Sequence, residues 1–312
     1  MALGQLVGGQ WTTEWQERDE QGRFNRMPTR FHTQITADGS SGYRAEPGRY
    51  HLYVSLGCPW AHRTVLMRTL KGLEGVIGLS IVAPVIGEYG WTFSTGPGCI
   101  PDTIHGAEHL KDLYVLAEPE YTGRVTVPVL WDKKTDTIVN NESRQIIRML
   151  DTQFEEFSTA DIDFYPQALR ERIDQTIDAI YWPINNGVYR TGFATSQVAY
   201  EEAFFELFSA LDYWERVLGE QHYLCGTQIT EADWCLFPTL LRFDLAYYGL
   251  FKCNLRRLVD YPNLWNYLND LYRQPGVKAV CDIDHIKRLY YNITQLNPTR
   301  IVPIGPRLHL GG

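Results

Sequence analysis

The sequence predicts an α/β domain followed by an all-helical domain, and three observations lead there. The 312 residues suit two domains better than one. Residues 49–85 read as strand, helix and strand, a βαβ order that implies parallel pairing. From Tyr165 onward, apolar residues recur at three- and four-residue intervals, the period of a helix.

The elements follow in order. Residues 1–48 are polar, with scattered Gly, Arg and Thr and no sustained period, and are expected to form an extended surface arm. Arg49–Leu56 alternates and is rich in β-formers, so it reads as a strand. Pro59–Leu70 follows as a helix, with Pro at the first turn, where a missing N–H costs nothing. Gly72 suits a helix stop. Ile77–Val85 is a nearly all-apolar strand, fit for burial on both faces. Residues 86–123 carry Gly, Pro, His and Trp and read as a long insertion. Arg124–Asp132 and Thr137–Asn141 are expected as strands joined by the charged turn Lys133–Asp136, and Glu142–Leu150 as a helix. This β-α-β, insertion, β-β-α order is that of a thioredoxin-like domain over residues 49–151.

Residues 152–164 are acidic and irregular, a linker. The helical domain is expected over residues 165–296. Phe204, Leu207, Phe208, Leu211, Tyr213, Trp214 and Leu218 give it one broad apolar face. Thr230-Glu-Ala-Asp233 is a capping box, flanked by Ile229 and Trp234 at the positions of a hydrophobic staple. Tyr261-Pro-Asn-Leu264 opens another helix. Residues 297–312 hold three prolines and read as a tail.

Charge and cysteine usage narrow the function. Lys plus Arg number 29 and Asp plus Glu 37, a net charge of −8. A nucleic-acid binder needs a basic face, so none is expected as a partner. The six cysteines form no CxxC pair, and no His cluster has zinc spacing, so no metal is expected. No secretory signal is visible in MALGQLVGGQW, and no run reaches the roughly 20 apolar residues of a membrane span. Free thiols in a reducing, cytoplasmic setting, away from any membrane, are the simplest expectation. Aromatic residues make up 13%, which fits either large packed helices or a flat aromatic ligand site.

Three places carry chemistry. Cys58 ends the first strand and precedes Pro59-Trp60-Ala61, which puts its sulfur at a helix N-terminus. The partial positive charge there favours a thiolate, the nucleophile of disulfide exchange. Ala61 stands where a redox pair would have its second cysteine, so Cys58 must form a mixed disulfide with an outside thiol. The competing reading is a buried core cysteine. Val127-Pro128 is the second place. A mid-strand proline cannot donate to the ladder, and a cis bond there leaves the preceding backbone free to pair with a peptide-like ligand. An ordinary edge-strand proline is the alternative. The third is Asn141-Glu142-Ser143, at a strand-to-helix turn. Helix N–H groups and the Ser hydroxyl suit a carboxylate, and Glu142 suits an ammonium, together the head of a free amino acid. A plain helix cap is the alternative. Cys99, in the insertion, is expected to be exposed and oxidisable, but its Gly/Pro context gives no reason to activate it. Cys225, Cys235, Cys253 and Cys281 are taken as structural.

Gly48-Arg-Tyr-His-Leu-Tyr-Val-Ser-Leu-Gly-Cys-Pro-Trp-Ala-His-Arg63 and Gly90-Trp-Thr-Phe93 resemble the Xi class of glutathione transferases, the glutathionyl-hydroquinone reductases. So do Asn140-Asn-Glu-Ser-Arg144, Asn186-Gly-Val-Tyr-Arg-Thr-Gly-Phe-Ala194, Asp284-His-Ile-Lys-Arg288 with Tyr290-Tyr291, and Asn297-Pro-Thr. The likeness runs from about residue 25 to the last ten residues. One departure is Gly57, where the class leads one to expect Ala.

The resemblance implies a site. Cys58 is its nucleophile. Glutathione is bound by Trp91, Arg124, Val127, Glu142 and Ser143: Arg124 takes a carboxylate, Val127 the cysteinyl backbone, and Glu142 with Ser143 the γ-glutamyl head. Tyr189 and Tyr290 meet the quinol ring, with Tyr181 nearby. On residue type alone, Trp91 reads as loop packing and a lone helical Tyr as core with its hydroxyl satisfied. The implied partners are glutathione, as co-substrate, and glutathionylated aromatic small molecules, with a homodimer as the assembly. The implied activity removes glutathione from glutathionyl-hydroquinones through a Cys58 mixed disulfide. The nearest rival is a cysteine-type transferase reducing dehydroascorbate or simple mixed disulfides, which has no need of the Tyr pair. A non-catalytic binding relative is the other, and it needs no activated thiol.

Overall fold

The computed structural model describes residues 4–14 and 18–311. They divide into two compact units. The first holds residues 4–14, 27–162 and 279–300, and the second residues 18–26, 163–278 and 301–311.

In the first unit, β1 (Gln5–Val7) and β2 (Gln10–Thr12) form a hairpin turned by Gly8 and Gly9. Both glycines have positive φ, 55° and 75°, as a two-residue hairpin turn of this hand requires. Next come β3 (Tyr50–Val54), α1 (Pro59–Leu70), β4 (Gly78–Ile81) and α2 (Leu110–Ala117). Then follow β5 (Gly123–Arg124), β6 (Val129–Asp132), β7 (Thr137–Asn140) and α3 (Ser143–Thr152). The main sheet has the order β4-β3-β6-β7. β4 pairs parallel to β3, from His51↔Gly78 to Val54↔Ile81, while β6 runs antiparallel to β3 and β7 to β6. All five residues of β3 are buried, and α1 and α3 pack together. The sheet thus has the strand–helix–strand start and the antiparallel pair that the sequence predicts.

Three local expectations fail for physical reasons. The single strand expected over 124–132 is two. β5 pairs with β1 in a separate sheet of order β2-β1-β5, and the main-sheet strand begins only after Pro128, which has no N–H for the ladder. The 86–123 insertion contains α2. Its start is held by Asp112, which accepts the His109 N–H at 3.2 Å. The arm is not merely extended. Besides its hairpin, it buries Phe24, Ile35 and Ala45.

The second unit is helical: α4 (Arg170–Ile180), α5 (Gly187–Gly192), α6 (Gln197–Glu220), α7 (Glu231–Arg242), α8 (Tyr248–Leu250) and α9 (Pro262–Arg273). Two π-helical turns, Tyr181–Asn185 and Phe243–Tyr247, interrupt it. Pro238 lies inside α7. Near it, the Asn185 amide donates to the Cys235 carbonyl at 3.2 Å and to the Thr239 hydroxyl at 2.8 Å. α10 (Ile283–Tyr291), which the sequence reading grouped with the helical half, packs in the first unit instead. Its amphipathic pattern requires a partner without naming one. Among the described residues, no helix is long and apolar enough to cross a membrane.

Candidate active site

Cys58 is the N-cap of α1, with extended backbone angles and Pro59 at the first helical position. Its carbonyl accepts the His62 N–H at 3.0 Å, the first bond of the helix. The unpaired N–H groups of such a helix end concentrate positive potential at the cap. No side-chain cap hydrogen bond forms there, and the first turn has no acidic residue. The sulfur therefore meets this potential without an acidic neighbour in the first turn of α1. Cys58 is largely buried, 8% exposed. Its thiol points at the Val127 carbonyl, 3.8 Å away. The Val127–Pro128 peptide bond is cis.

None of the six cysteines forms a disulfide. Burial pushes the thiols of Cys99, Cys225 and Cys253 up, which disfavours the thiolate. Cys99 is half-buried rather than exposed. Cys281 lies in the first unit, its sulfur 3.8 Å from His62 Nε2. Among the described residues, no group of three or more His, Cys, Asp or Glu side chains is placed to hold a metal ion.

Glu142 caps α3 and accepts the Arg144 N–H at 3.3 Å. Its own N–H donates to Asn140 Oδ1 at 2.8 Å, and the Thr29 hydroxyl reaches its other carboxylate oxygen at 3.2 Å. Ser143, buried beside it, accepts from Arg63 Nη1 at 3.3 Å. Arg63 lies over the Trp60 ring, 4.5 Å from its centroid. α1, which carries the sulfur, and α3, which carries the Glu–Ser pair, are thereby tied together.

Trp91 is buried, and its carbonyl accepts the Leu110 N–H at the start of α2. Gly90 before it has a φ of 85°, and the Trp11 ring covers its Cα so closely that a Cβ would stand 2.9 Å from it. Arg124 is half-buried on β5, and its carbonyl accepts the Tyr121 hydroxyl at 2.9 Å. Tyr290 is buried on α10. That helix reaches the residue beside the sulfur: a Cβ on Gly57 would stand 2.7 Å from Leu289 Cβ and 2.9 Å from the His285 carbonyl. Gly57, the departure from the class pattern, thus lets α10 approach.

The first unit accordingly holds Cys58, Trp91, Arg124, Val127, Glu142, Ser143 and Tyr290. Tyr181 and Tyr189 lie in the second. Tyr181, exposed, opens the first π-helical turn. Tyr189, on α5, is half-buried among Phe24, Phe193, Tyr247 and Phe251. Sequence reasoning passed over Thr29 and Arg63, which touch the two residues at the start of α3. Arg63 closes the quoted Cys-Pro-Trp-Ala-His-Arg run, a signal that was present. Thr29 bonds across 113 positions and leaves no local sign.

Residues 57–153 match the family described as glutathione S-transferase, N-terminal domain, and residues 197–270 the corresponding C-terminal domain. The chain is 48% identical to the glutathionyl-hydroquinone reductase YqjG of Escherichia coli, over 97% of this chain and 95% of that protein. Among solved structures, a Xi-class transferase from Natrialba magadii superposes with a TM-score of 0.93 at 49% identity, covering 98% of this chain and 94% of the other. The glutathione-bound structure of E. coli YqjG gives a TM-score of 0.91 at 47% identity, over 99% and 97%. A thiol at a helix start, a sheet of this order and full-length likeness at this identity agree: the chain belongs to the Xi class of glutathione transferases, the glutathionyl-hydroquinone reductases.

Proposed function

We propose that the chain removes glutathione from glutathionyl-hydroquinones, with Cys58 as its nucleophile. The observation that carries this reading is the Cys58 sulfur as the cap of α1, with Pro59 behind it and no acid in the first turn. The Cys58 thiolate attacks the sulfur of the conjugate. A sulfur–sulfur bond forms, the aromatic carbon–sulfur bond breaks, and that carbon takes up a proton. Hydroquinone leaves, and Cys58 remains as a mixed disulfide with glutathione. A second glutathione thiolate attacks this disulfide, giving oxidised glutathione and restoring the Cys58 thiolate. The cycle is ping-pong.

Glutathione binding is assigned to Trp91, Arg124, Val127, Glu142 and Ser143. Glu142 and Ser143 suit the γ-glutamyl head because a carboxylate, a hydroxyl and helix N–H groups meet there. Tyr189 and Tyr290 are assigned to the ring oxygens, favouring the keto form whose sulfur is more easily displaced. Tyr181 is a further ring contact. The same reading makes the protein a cytoplasmic homodimer, which sedimentation of the purified chain tests; six cysteines outside any disulfide suit a reducing compartment.

Cys58→Ala and Cys58→Ser are expected to abolish turnover of a glutathionyl-hydroquinone while the far-ultraviolet circular dichroism stays native. Wild-type turnover by either variant refutes the assignment. Tyr290→Phe is expected to slow the hydroquinone reaction and spare reduction of a simple mixed disulfide. Equal loss on both substrates points to the general thioltransferase instead.

A further inference from the structure

We propose that Arg26, from the N-terminal arm, is a positioning residue for Tyr189. It fixes the ring and favours negative charge on the phenol oxygen. The inference rests on the reading of Tyr189 as a ring-contacting residue.

The arm segment is held firmly within the second unit. The Arg18 guanidinium donates to the Phe193 carbonyl at 3.1 Å, the Thr195 N–H to the Gly22 carbonyl at 3.0 Å and the Ser196 hydroxyl to the Gln21 carbonyl at 2.7 Å. Arg23 grips Glu202 through two bonds of 2.9 and 3.0 Å. Phe24 is buried, stacked on Phe193 at 5.5 Å and on Tyr189 at 6.4 Å. These anchors leave Arg26 little choice of position.

Arg26 then makes two contacts that converge on Tyr189. Its guanidinium carbon lies 4.7 Å from the centroid of the Tyr189 ring, within the range of a cation–π contact. Its Nε donates to Asn186 Oδ1 at 2.9 Å. Asn186 in turn accepts the Tyr189 N–H on its carbonyl at 3.0 Å. Arg26 therefore holds both the ring and the backbone turn that carries it. Asn186 is fully buried, yet its Nδ2 has no hydrogen-bond partner. A buried amide with an unmet donor is rare in a fold kept only for stability, and its oxygen is oriented by Arg26.

The other rings packed against Tyr189 carry no charge. Phe24, Phe193 and Phe251 are apolar, and Tyr247 contributes a phenol. Arg190, on the same helix, is turned to the Trp182 ring and to Glu206. A cation on the ring face lowers the energy of negative charge on the phenol oxygen. That charge develops as Tyr189 shares its proton with a ring oxygen of the substrate.

The test compares wild type, Arg26→Gln, Arg26→Lys, Tyr189→Phe and the Arg26→Gln/Tyr189→Phe double variant on a glutathionyl-hydroquinone and on a simple mixed disulfide. Arg26→Gln is expected to lower kcat on the hydroquinone about tenfold, a fraction of the roughly 10²–10⁴ that a whole acid–base residue supplies. KM should change far less. The limb of the pH profile that reports Tyr189 should move up by about half a unit to one unit. Arg26→Lys should recover most of the rate, and mixed-disulfide reduction should be untouched. In the Tyr189→Phe background, Arg26→Gln should add nothing. Asn186→Ala, which releases the guanidinium, should reproduce the pattern at smaller size and serves if Arg26→Gln melts early. Equal losses on both substrates, or independent losses that multiply in the double variant, overturn the inference. Full hydroquinone turnover by Tyr189→Phe overturns instead the underlying role of Tyr189.

Discussion

At the start of α7 a buried carboxylate in the first turn holds the cap; at the start of α1 the cap is a thiol and the first turn has no acid. Asp233 is completely buried at the first and accepts from the Leu224 N–H at 2.9 Å, the Thr230 N–H at 2.7 Å, the Thr230 hydroxyl at 2.9 Å and the Tyr267 hydroxyl at 2.8 Å. The second has Cys58 as its cap, a proline behind it and no acid in the first turn. Satisfying helix ends stabilises a fold. Leaving one for a sulfur gives up part of that stability and keeps the local field for a thiolate. One end of the comparison serves the fold and the other the chemistry.

Substitutions sharpen the contrast. The largest expected effect is on the folding end. Asp233→Ala leaves several buried donors without an acceptor and should cost about 4 kcal/mol of stability. A urea midpoint unchanged from wild type would break the comparison at that end.

The strand that delivers Cys58 carries a pH test. Burial pushes the β3 imidazole of His51 down to about 4. The unfolded chain binds that proton near 6.5 and the folded chain only near 4. The stability tied to neutral His51 is therefore complete above 6.5 and is lost as pH falls from there through 4. It amounts to about 3 kcal/mol. Urea midpoints over this range should fall in wild type and fall less in His51→Gln. Parallel curves would contradict the assignment.

Gly57→Ala probes the approach of α10 to the sulfur. Its new Cβ would stand 2.7 Å from Leu289 Cβ, so α10 must shift. The expected cost is about 1–3 kcal/mol of overpacking, with slower hydroquinone turnover as Tyr290 moves with its helix. Wild-type stability and rate would show that α10 need not sit so close. The smallest stability change is the most telling. Cys58→Ser places a better N-cap on α1 and should raise stability by about 0.5–1 kcal/mol while turnover disappears. A loss of stability would mean that the sulfur serves packing rather than chemistry.

Where local chemistry sets an element, the sequence was legible. α1 runs Pro59–Leu70 as expected because Pro59 favours the first turn and Gly72 ends it, with a φ of 62°. Thr230 and Asp233 mark the start of α7 for the same reason. Contacts distant in sequence were not legible. The Trp11 indole bonds the Glu88 carbonyl across 77 positions, and Thr29 reaches Glu142 across 113. Neither leaves a trace in local periodicity. The candidate site divides along the same line. Cys58, Glu142 and Ser143 stand at strand-to-helix turns, where their chemistry follows from position. Tyr189 and Tyr290 are aromatic residues on helices, and only the class resemblance distinguished them from core.

The central claim is that the Cys58 sulfur takes glutathione from the substrate. Mass spectrometry of the intact and digested protein, after one turnover with a glutathionyl-hydroquinone and no free glutathione, tests it most directly. The expected result is one glutathionyl group on the peptide containing Cys58, removed on adding glutathione. An unmodified Cys58 peptide alongside released hydroquinone would contradict the account.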